Sequence, residues 1–268
     1  MHPAVQAFFD PATHTVTYLV SDPATRVAAI IDPVLDYDPD TSARTTSSAD
    51  AVLAALGRQG LTLAWVLETH AHADHLSAAH YLRGKTGAPI GIGARIHQVQ
   101  ETFAPKFGMP TPGPEVFDRL FADGERFPLG DLTVEAIHTP GHTPACVSYR
   151  IGDAVFVGDT LFMPDYGTAR ADFPGGDAAT LYRSIQRILA LPPETRIFVG
   201  HDYLPQDGRA DFRWQTTVAA ERDGNIHVGG GRSEADFVAM RLARDAALPP
   251  PKLLEPSLRA NIRAGALD

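Results

Sequence analysis

The sequence predicts a mixed α/β protein, and three observations support that prediction. Apolar runs of strand length alternate with segments whose apolar residues have helical spacing. Several apolar runs end at a histidine or an aspartate, as at His70, Asp159 and His201. The 268 residues include 44% hydrophobic and 21% charged side chains. That composition is typical of a globular chain, and the length suffices to bury a core without disulfides.

Strands and helices alternate along the chain. Apolar or β-branched runs bounded by turn residues predict strands. These runs are residues 4–31 with a turn at Asp22-Pro23, then 63–67, 89–92, 132–137, 147–151, 154–157 and 196–199. Helical spacing and capping residues predict helices. The helices are residues 47–56, 76–85, 95–103, 180–191 and a last one from 233. Gly152-Asp153 is typical of a two-residue hairpin turn, whereas residues 36–46 and 104–117 are predicted to be loops.

Charge and cysteine content exclude several classes of protein. The formal net charge is −9, and an acidic surface repels phosphate backbones, so we expect no nucleic-acid partner. Cys146 is the single cysteine, so an intrachain disulfide is impossible, and we expect a small buried thiol. No apolar run has transmembrane length, and residues 1–6 lack the pattern of a signal peptide. We therefore expect a cytoplasmic protein with no membrane partner.

One stretch concentrates side chains that bind metals. Thr69-His70-Ala71-His72-Ala73-Asp74-His75 places three histidines and an aspartate within six consecutive positions. Imidazole nitrogens and carboxylate oxygens are common ligands of zinc and iron. The stretch follows a predicted strand and precedes a predicted helix, so it forms a loop between rigid elements. If the strands that end at His142, Asp159 and His201 lie beside it, these side chains form one metal site at a sheet edge.

These motifs together resemble those of the metallo-β-lactamase superfamily. The matching segments, in chain order, are Thr69–His75, Thr139–Thr143, Gly158–Leu161 and Gly200–Tyr203. The resemblance covers at least residues 14–220 and implies an αββα four-layer sandwich with the metal site at one edge of the two sheets. We expect a single domain over residues 1–268, with a carboxyl-terminal extension from about 222 packing on it. The tail from Pro249-Pro250-Pro251 is expected to follow the surface.

Further segments resemble one group within the superfamily, the persulfide dioxygenases or ethylmalonic-encephalopathy-protein group. They are Gly167–Phe173, Leu181–Ile185 and Gly200–Tyr203. The resemblance implies a non-haem iron enzyme that uses O2 to oxidise glutathione persulfide, or a similar low-molecular-weight persulfide, to sulfite in sulfide detoxification. Leu204–Arg209 and the long carboxyl end are more similar to the bacterial β-lactamase-like hydrolase branch. Residues that contact the thiol carrier would lie there, so the carrier stays open.

The resemblance assigns one Fe(II) per chain to His70, His142 and Asp159. Two histidines and one carboxylate with open positions are the arrangement of non-haem iron oxygenases. Four further residues have two alternative roles, as hydrogen-bonded support for the iron ligands or as a second metal site. These residues are His72, Asp74, His75 and His201. Of these two roles, hydrogen-bonded support for the iron ligands is favoured. Purified protein could carry zinc, which binds such ligands more tightly than Fe(II) does.

Three residues are candidates for binding the substrate. Arg170 has a guanidinium that suits a carboxylate, although an ion pair with Asp172 is the alternative. Tyr203 and Arg213 are weaker candidates for contacting a glutathione-like carrier, with ordinary packing or a solvated charge as the alternative. The sequence leaves the oligomeric state open, including a homodimer.

The same ligand set is compatible with functions other than that of a dioxygenase. The main alternative is a glyoxalase II-like hydrolase, in which two metals activate a bridging water that attacks the thioester of S-lactoylglutathione. A secreted β-lactamase would need a signal peptide. A metal-stabilised binding module would have closed coordination, whereas this ligand set leaves positions open.

Overall fold

A computed structural model describes residues 2–205 and 208–267. Within those residues the strands are β1 (Ala4–Asp10), β2 (Thr15–Ser21), β3 (Val27–Ile31), β4 (Val34–Tyr37), β5 (Arg44–Thr45), β6 (Thr62–Leu67), β7 (Leu76–Ser77), β8 (Ile90–Gly93), β9 (Arg119–Phe121), β10 (Arg126–Leu129), β11 (Leu132–His138), β12 (Val147–Ile151), β13 (Ala154–Phe156), β14 (Arg196–Phe198) and β15 (Gln215–Thr217). The helices are α1 (Ser47–Arg58), α2 (Ala79–Thr86), α3 (Ile96–Phe103), α4 (Ala178–Leu189), α5 (Val218–Gly224), α6 (Glu234–Asp245) and α7 (Leu254–Asn261). Short 3-10 turns occupy Pro105–Phe107 and Pro114–Val116.

Two six-stranded sheets form the centre of the fold. The first has the order β1-β2-β3-β6-β8-β9, antiparallel as far as β3 and parallel from there on. The second has the order β10-β11-β12-β13-β14-β15, with β13 and β14 as its parallel pair. A small third sheet, β5-β4-β7, lies beside residues 68–75, the candidate metal-binding loop. Both large sheets therefore combine parallel and antiparallel strands.

Three apolar clusters define the four layers. Side chains such as Tyr18, Phe127 and Tyr149 are buried between the two sheets. The outer face of the first sheet packs against α1, α2, α3 and α7, and that of the second against α4 and α6. Each fully buried side chain of this kind contributes about 1.5–3 kcal/mol relative to exposure. The predicted αββα sandwich is confirmed, and none of the described helices is long and apolar enough to cross a membrane.

Several element boundaries differ from the prediction. The predicted loop 36–46 contains the end of β4 and all of β5, and the predicted helix 76–85 begins with the two-residue strand β7. Strands β9, β10 and β15 and helices α5 and α7 were not predicted. Strands of two to four residues are too short to show a periodicity, so only pairing with a neighbour defines them. Gln206 and Asp207, in the segment that departs from the mitochondrial dioxygenases, lie outside the described residues.

Candidate metal centre

The metal-ligand side chains converge at one edge of the two sheets. The loop between β6 and β7 carries His70, His72 and His75, and loops after β11, β13 and β14 carry His142, Asp159 and His201. Asp32, directly after β3, accepts hydrogen bonds from the Thr69 backbone N–H at 2.7 Å and the Thr69 hydroxyl at 2.8 Å. The start of the metal-binding loop is therefore attached to the neighbouring strand.

A glycine allows the aspartate loop to approach the histidine loop. Gly158 has φ +50, and a Cβ built on it would lie 2.4 Å from the Thr69 hydroxyl oxygen. A larger residue would therefore push the loop away and carry Asp159 with it. The glycine explains how two loops from different sheets bring their ligands together.

His70, His142 and Asp159 form a compact set. Their ligand atoms all lie within 4.8 Å of one another. Asp159 Oδ2 is 3.9 Å from His70 Nε2 and 3.7 Å from His142 Nε2. These separations are too long for hydrogen bonds and leave a gap between the three atoms.

The hydrogen bonds of the two imidazoles leave both Nε2 atoms available. His142 Nδ1 donates to the Arg170 carbonyl oxygen at 2.8 Å, since a carbonyl can only accept. The Thr69 hydroxyl donates to Asp32, so it accepts from His70 Nδ1 at 3.0 Å. Each Nε2 therefore carries a lone pair, and His70 Nε2 is buried without a hydrogen-bond partner. A buried lone pair without a partner, beside a second imidazole nitrogen and a carboxylate, fits a metal ion.

His201 lies between two carboxylates. Its Nδ1 donates to Asp159 Oδ1 at 2.7 Å, and its Nε2 lies 2.5 Å from Asp74 Oδ2 and 3.0 Å from the Thr15 hydroxyl. Burial disfavours the imidazolium, but Asp159 and Asp74 raise the pKa of His201 to about 10. Both ring nitrogens are thus engaged, and the contact with Asp159 directs the other carboxylate oxygen toward His70 and His142.

His72 faces away from that set, into a second buried group. Its Nε2 lies 3.1 Å from Asp32 Oδ1 and 3.5 Å from Glu68 Oε2. Burial acts against the charged ring, yet Asp32 and Glu68 raise the pKa of His72 well above its usual value. Burial also raises the pKa of Glu68, whereas His72 holds that of Asp32 low. Asp32 is therefore the main counter-charge of His72.

His75 completes the loop and has one free nitrogen. Its Nδ1 donates to the Leu76 carbonyl oxygen at 3.1 Å, and its Nε2 is buried without a partner. Burial and the neighbouring His72 lower the pKa of His75 to about 4. Ligand atoms of His72, Asp74 and His75 also lie within 4.8 Å of one another. These residues retain the donors of a second metal site: His72 Nδ1 is buried without a partner, although His72 Nε2 lies beside Asp32 and Asp74 contacts His201.

An open cleft of about 570 Å³ leads to the metal-ligand set. Its lining includes the ligands His142 and Asp159, the aromatic residues Phe162, Tyr166, Phe173 and Tyr203, and the tail from Leu248 to Leu253. Tyr203 stacks on His201 with ring centroids 5.7 Å apart. Four basic residues also line the cleft, namely Arg170, Arg241, Arg244 and Lys252. The cleft is therefore partly apolar and partly cationic.

The predicted substrate residues differ in position. The Arg170 guanidinium bonds both Asp172 oxygens, at 2.6 and 2.7 Å, and donates to the Pro249 carbonyl at 2.7 Å. It therefore attaches the tail to the loop that also holds His142. Tyr203 lines the cleft, but Arg213 is exposed and does not line it. A substrate-binding role for each of them stays a prediction.

Cys146 lies beneath the His142 loop. Its thiol is buried and contacts the backbone N–H and the hydroxyl of Thr143. Burial raises the pKa of the thiol to about 12. A thiol of that pKa is a poor nucleophile at neutral pH, as expected for a packed side chain.

Sequence reasoning missed three residues that shape this site. Asp32 follows the predicted strands of residues 4–31, Glu68 lies between the predicted strand 63–67 and the motif, and neither was assigned a role. Asn261, in α7, donates to the backbone carbonyls of His72 and His75. A carboxylate directly after a buried strand was an available signal for Asp32 and Glu68, whereas nothing local to Asn261 indicates its contact.

Comparisons with known proteins agree with this geometry. The model of the metallo-beta-lactamase superfamily matches residues 11–201. The chain is 52% identical to the beta-lactamase hydrolase-like protein of Agrobacterium fabrum over 99% of its length, and it spans 61% of that relative. It is 46% identical to glyoxylase B2 of Dictyostelium discoideum over 98% of this chain and 91% of that relative.

Two further likenesses concern persulfide dioxygenases. The human mitochondrial persulfide dioxygenase ETHE1 is 29% identical over 97% of this chain and 88% of that relative. The crystal structure of ETHE1 from Myxococcus xanthus superposes with a TM-score of 0.80 at 32% identity. That match covers 98% of this chain and all of the other.

Proposed function

This chain belongs to the metallo-β-lactamase superfamily, and we propose that it is a persulfide dioxygenase with one non-haem iron per chain. In the proposed reaction a persulfide RSSH, O2 and water give the thiol RSH, sulfite and protons. The expected metal ligands are His70, His142 and Asp159. The persulfide is glutathione persulfide or another low-molecular-weight persulfide, consumed in sulfide detoxification in the cytoplasm.

One observation carries the proposal, namely that His70 Nε2, His142 Nε2 and Asp159 Oδ2 converge, whereas His72 Nε2 and both nitrogens of His201 lie beside other carboxyl groups. His70 and His142 direct their Nε2 lone pairs toward Asp159 Oδ2. His72 faces Asp32 and Glu68, and His201 bridges Asp159 and Asp74. Two histidines and one carboxylate with open positions favour a mononuclear oxygenase over a two-metal hydrolase.

The chemistry divides between the metal and the chain. Iron(II) bound to these ligands would supply open positions for the persulfide sulfur and O2 and a redox step that zinc lacks. The Arg170 carbonyl and the Thr69 hydroxyl fix the orientation of the two imidazoles. The Asp74–His201–Asp159 chain of contacts can hold a proton on His201, next to the ligand Asp159. Phe162, Phe173 and Tyr203 give the cleft an apolar lining beside the ligands.

The charge of the cleft supports an anionic thiol carrier. Arg244 and Lys252 are exposed and line the cleft together with the tail prolines. Glutathione carries carboxylates, which pair with guanidinium and ammonium groups. The two persulfide dioxygenases to which the chain is similar support the same substrate class.

The test compares two reactions of one preparation. Protein loaded anaerobically with iron is mixed with glutathione persulfide while O2 and sulfite are measured, and S-lactoylglutathione hydrolysis is followed in parallel. We expect prompt O2 uptake with sulfite formation, and loss of both in His142→Ala. Rapid thioester hydrolysis without O2 uptake would contradict the proposal.

A second candidate function is a glyoxalase II-like thioester hydrolase with two metals. The grouping of His72, Asp74 and His75 within 4.8 Å favours it, as does the likeness to glyoxylase B2. His72 Nδ1 and His75 Nε2 are buried without hydrogen-bond partners, whereas a second metal would compete with His201 for Asp74. This candidate predicts hydrolysis that rises with the second equivalent of metal.

A further inference from the structure

The carboxyl-terminal helix α7 contacts the metal-binding loop through one side chain. Asn261, the last residue of α7, is 4% exposed. Its Nδ2 donates to the carbonyl oxygens of His72 and His75, each at 2.8 Å, and its Oδ1 accepts from the Ser77 N–H at 2.8 Å. Both amide hydrogens and the oxygen are therefore used on this one loop. The superfamily match ends at residue 201, so the contact comes from outside it.

The two carbonyls that Asn261 binds lie on either side of Asp74. Asp74 contacts His201, and His201 contacts Asp159, the carboxylate ligand of the proposed site. A displacement of the loop would therefore move Asp74 and, through its contact with His201, change the position of Asp159 Oδ2. Supporting residues of this kind orient metal ligands, and their loss lowers metal affinity by roughly 10- to 100-fold.

A second path leads from Asn261 to His72. Asn261 holds the Ser77 backbone, and the Ser77 hydroxyl donates to Glu68. Glu68 faces His72 on the side away from the metal ligands. The amide thus also fixes the group that keeps His72 out of the three-ligand set.

Docking of α7 onto the fold does not depend on Asn261. Leu258 and Ile262 pack in the apolar cluster outside the first sheet. Gln100 on α3 donates to the Ile262 carbonyl oxygen at 2.9 Å. Contacts that attach the helix are therefore separable from the contact that holds the loop.

We propose that Asn261 is a positioning residue of the metal centre, which fixes the His72–Ser77 segment so that Asp159 keeps its orientation and His72 stays apart. The carboxyl-terminal helix α7 then contributes to the geometry of the metal centre. The inference rests on the metal centre of the proposed function but not on the dioxygenase reaction, because metal binding is measured without substrate.

The test uses Asn261→Ala in the full chain, with Gln100→Ala as the matched control. Gln100→Ala removes a buried hydrogen bond to the same helix but none to the loop. Each protein is loaded with cobalt(II), whose visible absorption reports ligand geometry, and release to a chelator is timed. Thermal unfolding of the metal-free proteins is measured alongside.

We expect Asn261→Ala to weaken metal binding roughly 10- to 100-fold and to change the cobalt spectrum. Gln100→Ala should lower thermal stability while leaving the spectrum and the affinity near those of the parent. Equal effects of the two variants on metal binding, or an unchanged spectrum and affinity in Asn261→Ala, would overturn the inference. If Asn261→Ala fails to fold, Asn261→Asp keeps an acceptor for Ser77 and removes the donors, and the same readouts decide. Failure of the O2-uptake assay alone would contradict the proposed function without touching this result.

Discussion

His70 and His72 lie two positions apart on the metal-binding loop and are both buried, yet their surroundings differ. His70 has one carboxylate near its Nε2, at 3.9 Å. His72 has two carboxyl groups, at 3.1 and 3.5 Å. Burial holds the pKa of His70 well below its usual value, whereas Asp32 and Glu68 outweigh burial and raise that of His72.

The comparison shows how one motif produces two kinds of histidine. A buried imidazole that is neutral offers a lone pair to a metal, whereas the carboxyl groups beside His72 favour its charged form, which has no lone pair. The carboxyl groups that surround each ring therefore decide its role. The first of three predictions tests this contrast, and the other two concern a buried carboxyl group without a cation and the ion pair that holds the tail.

Removing the ring of His72 should destabilise the fold without removing the metal. His72→Ala leaves Asp32 and Glu68 buried without a counter-charge, and breaking a buried ion pair costs about 3–5 kcal/mol. Chemical unfolding and metal analysis of the iron-loaded protein measure the two effects. His97→Ala is the control, since His97 is exposed on α3. Loss of the bound metal in His72→Ala would show instead that His72 is a ligand.

A buried carboxylate without a cation should give the opposite pH dependence from an ion pair. Burial raises the pKa of Glu221 to about 8, although Asn225 donates to it at 2.6 Å. The folded state therefore keeps a proton that the unfolded chain loses near its ordinary pKa. The contribution of Glu221 to stability is present below about pH 4.5 and is lost as the pH rises toward 8.

Glu221→Gln should remove that loss. Each unit of difference in pKa between the folded and unfolded states corresponds to about 1.4 kcal/mol. By this linkage, the unfolding free energy of the variant should rise relative to that of the parent between about pH 5 and pH 8. Unfolding free energies measured across this range check it, with the exposed Glu194→Gln as control. Parallel pH profiles for the parent and Glu221→Gln would refute the assignment.

Loosening the tail should affect substrate binding more than the metal. Arg170→Lys keeps a positive charge but cannot bond both Asp172 oxygens and the Pro249 carbonyl together. Loss of one such bond costs about 1 kcal/mol. Because about 1 kcal/mol corresponds to a factor of about five, we expect KM for the persulfide to rise about fivefold. The kcat and the metal content should stay nearly unchanged. Arg183→Lys, whose partner Glu234 lies outside the cleft, is the control. A fall in kcat with KM unchanged would contradict a role in holding the tail.

Local sequence predicted most of the fold and the set of ligands. Long apolar runs such as Val147–Ile151 and the hairpin at Gly152-Asp153 are found where they were predicted. The superfamily motif predicted which histidines gather at the sheet edge. Local patterns do not encode which way a ring turns, so the pairing of His72 with Asp32 was not predicted.

Long-range contacts account for the rest. Asn261 lies 189 positions from His72, whose carbonyl it binds. Its own neighbourhood shows only a weakly amphipathic helix, because the contact depends on how α7 packs on the first sheet. Arg170 was predicted beside the site, but its bond to Pro249 depends on the path of the tail.

The number of irons per chain tests the central claim most directly. Metal-free protein is dialysed anaerobically against excess Fe(II), and bound iron is counted for the parent, His142→Ala and His72→Ala. The account predicts one iron in the parent, one in His72→Ala and none retained in His142→Ala. Two irons in the parent, with one lost in His72→Ala, would contradict the three-ligand centre and favour the two-metal hydrolase.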